Sequence, residues 1–106
     1  MAKFLVTYHG GPGMPSDPEA ARMMLEAFQG WAGGVGRLLV DPGAPVGAAK
    51  TVSASGATDG QNEAAIGGYS ILEADDLEGA VALVESHPFI ARGGTLQVSE
   101  CVVVGG

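Results

Sequence analysis

The chain has few of the residues on which several classes of protein depend. Cys101 is the only cysteine among 106 residues, which excludes an intrachain disulfide and a cysteine-based metal site within the chain. Five basic side chains stand against twelve acidic ones, and the formal net charge is −7. Sequence-independent binding to nucleic acid, or electrostatic binding to anionic lipid, needs a broad basic face, and five cationic side chains are too few to form one. We therefore expect no nucleic-acid partner and no membrane partner.

Long apolar runs are also missing. No stretch approaches the ~18 apolar residues of a membrane-spanning helix, and the N-terminal run is shorter than the ~7–15 apolar residues of a signal peptide. We therefore expect a cytoplasmic protein. Hydrophobic residues make up 46% of the chain and charged residues 16%, which is not a disordered composition. The length fits one domain, residues 1–106, and we expect a partner subunit to cover part of the apolar surface.

The hydrophobic pattern predicts an alternation of strands and helices. Strands are predicted at residues 4–8, 37–40, 68–74 and 95–104, with a small strand at 50–53 and an exposed loop at 55–62. A first helix is predicted at residues 18–32, and a second helix is predicted to begin at its cap Asp75 and to end at His87–Pro88. For the first helix, either Asp17 is the N-cap or Ser16 forms a capping box with Glu19. A group of glycines is expected to end that helix: Gly30, Gly33, Gly34 and Gly36. Gly33 or Gly34 is the expected left-handed terminator, because glycine readily adopts that conformation.

The order of these elements predicts the fold class. A β–α–β unit, a loop with one small strand and a second β–α–β unit match the split βαβ, ferredoxin-like pattern, βαββαβ. The sequence therefore predicts an α+β fold in which a four-stranded antiparallel sheet carries both helices on one face. The other face must then be wet or covered by another molecule.

Alternation along the strands predicts what each face of the sheet carries. One set is apolar enough to pack on the helices, and it contains Phe4, Val6, Tyr8, Tyr69, Ile71, Leu96, Val98 and Val102. The other set is mixed, and it contains Leu5, Thr7, Ser70, Leu72, Gln97, Ser99, Cys101 and Val103. A face in bulk water would carry more charge. The mixed face therefore suits a sheet that meets its own copy and encloses a small cavity.

A run in the second half of the chain resembles a known family. Residues 67–80, GGYSILEADDLEGA, are similar to the core signature of YCII-related (DGPF-domain) proteins. His87–Pro88 and residues 93–98 are similar to the end of that family's second helix and its final strand. Residues 36–45 resemble its second strand and the following turn. The resemblance covers nearly the whole chain and implies a dimeric α/β-barrel, in which two ferredoxin-like sheets pack face to face.

The chain departs from that family at its proposed catalytic residues. Some members have been assigned an acid–base pair, with a histidine on the first helix and an aspartate before the proline that ends the second. Here the first helix has no histidine, and His87 stands before Pro88. The DGPF tetrapeptide is also absent, and residues 56–59 lie in roughly that loop. The resemblance therefore carries over no catalytic pair.

Three residues are candidate catalytic groups in this chain. His87 is either a general base in a cleft, because imidazole titrates near neutrality, or a side chain that satisfies the last carbonyls of the second helix. His9 lies at the rim of the mixed face, where it either joins His87 in a cleft or is solvated. Asp41 either adds a carboxylate to that cleft or belongs to an ordinary Asp-Pro-Gly turn. No cofactor is expected. With two histidines and no second cysteine, a metal site would need carboxylates brought together by chance.

Two functions follow as hypotheses. The first is a small homodimeric YCII-like protein that binds a small molecule in a sheet–helix cleft, with acid–base chemistry of the lyase or hydrolase type led by His87 together with His9 or Asp41. The second is a non-catalytic dimerisation or ligand-sensing module, which the missing catalytic pair favours. An oxygen-using monooxygenase of the related barrel type would share the fold and would need a deeper pocket.

Overall fold

The alternating pattern of the chain folds into a sheet covered by helices. The computed structural model describes residues 1–11, 13 and 15–105. Its strands and helices are β1 (Ala2–Gly10), α1 (Pro18–Val35), β2 (Leu39–Pro45), β3 (Lys50–Ser53), β4 (Gly56–Asp59), β5 (Gly68–Ala74), α2 (Leu77–Val84), α3 (Pro88–Ala91) and β6 (Gly94–Glu100). The predicted α+β class is confirmed. None of the helices in the described ranges is both long and apolar enough to span a membrane.

The main sheet has four antiparallel strands in the order β2-β5-β1-β6. Strands β1 and β5 lie in the centre, while β2 and β6 form the two edges. Phe4 on β1 lies opposite Leu72 on β5 and Glu100 on β6. This register decides which side chains share a face of the sheet.

The core lies between the sheet and the helices. Val6 and Leu72 from the sheet pack with Trp31 of α1 and Val84 of α2, which places both helices on the same face. Ser70 is also fully buried on this face. The predicted assignment of Ser70 and Leu72 to the outer face is therefore wrong, and Tyr69 and Ile71 point outward instead. Both alternating sets of β5 contain an apolar residue, so apolarity alone does not choose the face, whereas the register with β1 does.

Strand β2 is irregular where the sequence predicted its end. A 3₁₀ turn spans Gly36–Leu38, and β2 starts at Leu39 and continues past Asp41 to Pro45, with register shifts on either side of Asp41. Gly43 adopts φ +73°, and a Cβ atom there would lie 1.7 Å from the Tyr69 carbonyl oxygen. Glycine thus allows the bulge, so the prediction that residues 41–43 halt the strand is wrong.

Helix α1 begins as predicted and ends later. Asp17 is the N-cap, and its carboxylate accepts a hydrogen bond from the Ala20 amide at 3.1 Å. The helix continues through Gly33 and Gly34 to Val35, and Gly36 is the C-cap residue, with φ +65°. The choice of Gly33 or Gly34 as the left-handed terminator is therefore wrong, and Gly36, another of the predicted terminating glycines, takes that role. Interior glycines cost a helix about 1 kcal/mol each relative to alanine, and here the packing of Trp31 and Val35 on the core offsets that cost.

The second helical region is divided. Asp76, rather than the predicted Asp75, caps α2, and its carboxylate accepts from the Gly79 amide at 2.7 Å. Helix α2 ends at Val84, and His87 is the N-cap of the short helix α3. The prediction that His87–Pro88 ends the second helix is therefore wrong. The fixed φ of proline suits the first position of a new helix, and Pro88 occupies that position.

Two further segments differ from the sequence prediction. The predicted strand at residues 50–53 is confirmed, but part of the predicted loop after it is strand β4, which pairs with β3 as an exposed hairpin. At the C-terminal end, β6 stops at Glu100, so residues 101–104 are not part of the last strand. The Cys101 amide donates to the Lys3 carbonyl at 2.9 Å, and β1 has almost no residues left beyond that point.

Candidate functional site

His87 lies under the helices in a pocket of aromatic rings. The residue is 4% exposed, because it lies at the start of α3 and its ring packs against α1. The centroid of its ring lies 4.3 Å from that of Trp31, 5.0 Å from Tyr8 and 5.8 Å from Phe28. A polar group buried in this way must find hydrogen-bond partners for both of its ring nitrogens.

Both nitrogens of His87 have partners, and these partners fix its tautomer. The Phe89 backbone N–H donates to Nδ1 at 3.0 Å, so Nδ1 carries the lone pair. The proton of the neutral ring therefore lies on Nε2, which donates to the Tyr8 hydroxyl oxygen at 2.9 Å. His87 thus caps α3 with one nitrogen and binds β1 with the other.

The hydrogen bonds continue from Tyr8 across the sheet. The Ser70 hydroxyl donates to the Pro42 carbonyl at 2.8 Å, so its oxygen is free to accept from the Tyr8 hydroxyl at 2.9 Å. This series of hydrogen bonds runs from the Phe89 amide through His87, Tyr8 and Ser70 to Pro42, and we call it the His87 network. It joins α3, β1, β5 and β2. Within the described residues, every buried side-chain nitrogen and oxygen has a hydrogen-bond partner.

Burial sets the charge state of the two titratable members. Desolvation lowers the pKa of His87 to about 4 and raises the pKa of Tyr8, an effect that the hydrogen bond to Ser70 partly opposes. Both side chains are therefore neutral near pH 7. A proton on Nδ1 would break the Phe89 hydrogen bond, and this geometry favours a structural role for His87. Its catalytic role stays a prediction.

The other two candidates point away from His87. The His9 Nδ1–H donates to the Ala65 carbonyl at 2.9 Å, and its Nε2 accepts from the Thr7 hydroxyl at 2.8 Å. His9 and Thr7 share the outer face of the sheet, opposite Tyr8, because neighbouring strand residues alternate. Asp41 accepts from the Gly43 amide at 2.8 Å within the bulge of β2. The structure therefore separates His9 from His87 by the sheet, and Asp41 takes the turn role that its sequence context allows.

Tyr8 as the partner of His87, and Ser70 as the partner of Tyr8, do not follow from the sequence. Tyr8 was assigned to the apolar face, and a phenol on such a face needs a hydrogen-bond partner. That requirement predicts a partner without identifying it. Ser70 stood in an otherwise apolar strand, but its predicted face was wrong. Tyr8 lies 62 positions from Ser70 and 79 positions from His87 along the sequence, and local patterns do not predict contacts between residues so far apart.

A groove of about 520 Å³ opens beside this buried cluster, between α1 on one side and α2 and α3 on the other. Its lining carries no charged side chain and consists of Ala27, Gly30, Trp31, Gly34, Val35, Ala82, Leu83, Ser86 and Pro88. Trp31 holds the two walls together, because its Nε1–H donates to the Leu83 carbonyl at 2.9 Å. The predicted cleft lay between sheet and helix, whereas this groove lies between helices. We call it the helix groove.

The remaining chemistry of the described residues is limited. Residues 1–11, 13 and 15–105 contain no group of three or more His, Cys, Asp or Glu side chains arranged to hold a metal ion. Cys101 is exposed and lies just past the end of β6, rather than within the last strand as predicted. Comparison of the chain with protein-family models, with curated proteins and with solved structures gave no match. The fold and site therefore define an α+β protein with an uncharged helix groove above a neutral, buried histidine.

We expect His87 to make the protein less stable in mild acid. Its pKa is about 4 when folded and ~6.5 when unfolded, so the unfolded chain binds the proton first as the pH falls. This contribution is complete above pH ~6.5 and is lost as the pH falls towards 4, at a cost of roughly 2 kcal/mol between pH 7 and pH 5. Urea unfolding at the two pH values, followed by fluorescence of the single tryptophan, measures it.

The comparison that isolates His87 is His87→Asn, whose side-chain oxygen can still cap α3. This variant should be less stable at pH 7 and should lose less stability on going to pH 5 than the unmodified chain. His9→Gln removes the only other histidine and should keep the full loss. An equal loss in the unmodified chain and in His87→Asn would show that His87 does not carry the effect.

Proposed function

We propose that this protein is a YCII-like binding module with a ferredoxin-like fold. In this proposal, it forms a homodimer through the outer face of its sheet and binds a neutral, apolar small molecule in the helix groove, without acid–base catalysis at His87. The order β2-β5-β1-β6, with the connecting helices on one face, supports the ferredoxin-like assignment. The motif at residues 67–80 supports the relationship to YCII-related proteins.

The surface of the single chain supports the dimer. Its accessible area is 6962 Å², whereas a monomer of this mass exposes about 5,500 Å². Its radius of gyration is 15.2 Å, against about 13 Å for a compact domain of this length. Its smallest dimension is 19 Å, which is the thickness of one sheet and one layer of helices. A second copy on the outer face would supply the missing third layer.

The composition of the outer face fits such a partner. Leu5, Ile71 and Tyr69 lie at its centre on the two middle strands, and each is only partly buried in the single chain. Thr7, Gln97 and Ser99 lie beside them on β1 and β6. On the other side Asp41 of β2 lies opposite Ile71, and Lys3 lies opposite Glu73 at the end of the same face. An apolar centre with a polar and charged rim is typical of a surface that packs against a protein.

The observation that carries the binding role is the contrast between His87 and the helix groove. The one candidate base in this region is closed off, with both nitrogens in use, while the uncharged groove beside Trp31 is open. Its volume of about 520 Å³ lies within the ~300–1,000 Å³ of small-molecule sites. The net charge of −7 disfavours anionic ligands, so a neutral, apolar molecule fits best.

A neutral fluorescent probe tests the groove. N-phenyl-1-naphthylamine should gain fluorescence on binding and should quench Trp31, because that side chain lines the groove. In Gly34→Leu, the new side chain has open space and extends into the groove, so the affinity for the probe should fall by roughly tenfold or more. Titration of the probe, followed by its own emission and by tryptophan emission, measures both.

Gly33→Leu is the matched control. Gly33 lies on the same helix with equally open space, but it does not line the groove. Both substitutions replace a glycine with a stronger helix former, so neither should unfold α1. The control should bind the probe as the unmodified chain does. No binding by the unmodified chain, or equal loss in the two variants, would contradict the proposed site.

The dimer is tested by a charge on the outer face. Ile71→Lys would place a cation at the centre of the proposed interface, and desolvating it there is costly, so the dissociation constant should rise by roughly tenfold or more. Val52→Lys on the exposed β3–β4 hairpin adds the same charge away from that face and should have no effect. Sedimentation equilibrium at micromolar concentrations measures both. A monomeric unmodified chain, or an unchanged constant in Ile71→Lys, would contradict this interface.

A further inference from the structure

The two edges of the main sheet differ in how they are protected. Strand β2 carries Pro42 and Pro45 and has two register shifts, features that discourage another strand from pairing with it. Strand β6 pairs with β1 in continuous register from Gly94 to Glu100, and it contains neither proline nor lysine. Among residues 1–11, 13 and 15–105, no strand pairs with the other side of β6. Proteins usually protect such an edge, so an open one indicates a partner strand.

The backbone groups that face the free edge of β6 follow from one hydrogen bond. The Cys101 amide donates to the Lys3 carbonyl, which shows that residue 101 points towards β1. Because the direction alternates in an antiparallel ladder, Ser99 and Gln97 also point towards β1. The N–H and C=O groups of Val98 and Glu100 therefore point away from the sheet. They form a row of donors and acceptors that a further strand would satisfy.

The segment after β6 extends this edge. Val102, Val103 and Val104 are 71%, 88% and 84% exposed. β-branched apolar residues favour strands, and this run continues past the last contact between β6 and β1. Three consecutive exposed valines would lose water-exposed apolar surface if a second strand lay beside them.

The low charge of this segment favours another copy of the chain as the partner. The net charge of −7 makes most of the surface repel a second copy, but Glu100 is the only charged residue after Arg92. Two copies of this segment can therefore run antiparallel without placing acidic side chains opposite each other. The one exception is the register with Glu100 on the two-fold axis, because each Glu100 would then lie opposite its own copy. An antiparallel pair is also self-complementary, as a two-fold interface requires.

We infer that the free edge of β6, continued by residues 101–104, pairs antiparallel with the same segment of a second copy. The two sheets then join into one continuous sheet across a two-fold axis. This contact uses the edge of the sheet and leaves the outer face open, so it stands independently of the face-to-face dimer proposed above.

Two substitutions at one exposed position test this pairing. Glu100→Pro removes an N–H that points away from β1, and Glu100→Gln makes the same change of charge while keeping that N–H. Sedimentation equilibrium in the Ile71→Lys background, where the outer face is blocked, should show a dissociation constant roughly tenfold or more higher for Glu100→Pro than for Glu100→Gln. Equal constants would overturn the inference. If Glu100→Pro does not fold, as judged by circular dichroism, a chain ending at Cys101 takes its place.

Amide hydrogen exchange gives a second readout within the same strand. At concentrations above the association midpoint, the Val98 and Glu100 amides should become protected, and dilution should release them. The Gln97 and Ser99 amides face β1 and should be protected at every concentration. Val98 and Glu100 amides that exchange freely at all concentrations would overturn the edge pairing, and their protection in Ile71→Lys would support it even if the outer face proves not to be an interface.

Discussion

The packing of the last third of this protein depends on a neutral histidine. His87 accepts a hydrogen bond from the first turn of α3 and donates one to Tyr8 in the middle of the sheet, and Ser70 passes the connection on to β2. Leaving one such buried group without a partner costs about 1–3 kcal/mol, so each member needs the others. Protonation of the ring would break this arrangement at the α3 cap. The register of the sheet matters for the same reason, because a shift by one residue would turn Tyr8 or Ser70 to the opposite face.

The burial of His87 also separates this titratable side chain from the open helix groove. His87 contributes to stability because it is dry and fully hydrogen-bonded, and those conditions oppose its use as a base near pH 7. The accessible volume lies beside His87 in the helix groove, where Gly30 and Gly34 of α1 have no side chains to fill it. Glycine inside a helix lowers the stability of that helix, so these two positions leave room in the groove and weaken α1. This division between a buried polar connection and an uncharged groove favours binding over catalysis.

Features set by nearby residues could be predicted from the sequence. The start of α1 at Pro18, the bounds of β5 at Gly68–Ala74 and the α+β class all follow from short-range patterns, and the structure confirms them. Of the two caps that the sequence allowed for α1, the structure shows Asp17. Features set by distant contacts could not. The face of β5 depends on its register with β1, the bulge at Gly43 on space beside Tyr69, and the role of His87 on Tyr8 and Ser70. His87–Pro88 has the local pattern of both a helix end and a helix start, and only the packing decides between them. The resemblance to YCII-related proteins and the dimer stay predictions.

The protonation state of His87 is the most direct test of this account. Long-range ¹H–¹⁵N NMR on the folded protein distinguishes the two ring nitrogens and follows their protons with pH. The account predicts a neutral ring with its proton on Nε2 from pH 7 down to about pH 5, since burial lowers the pKa to about 4. A proton on Nδ1 of the neutral ring, or a charged ring near pH 6, would contradict it, because neither form can accept the Phe89 hydrogen bond and remain buried as described.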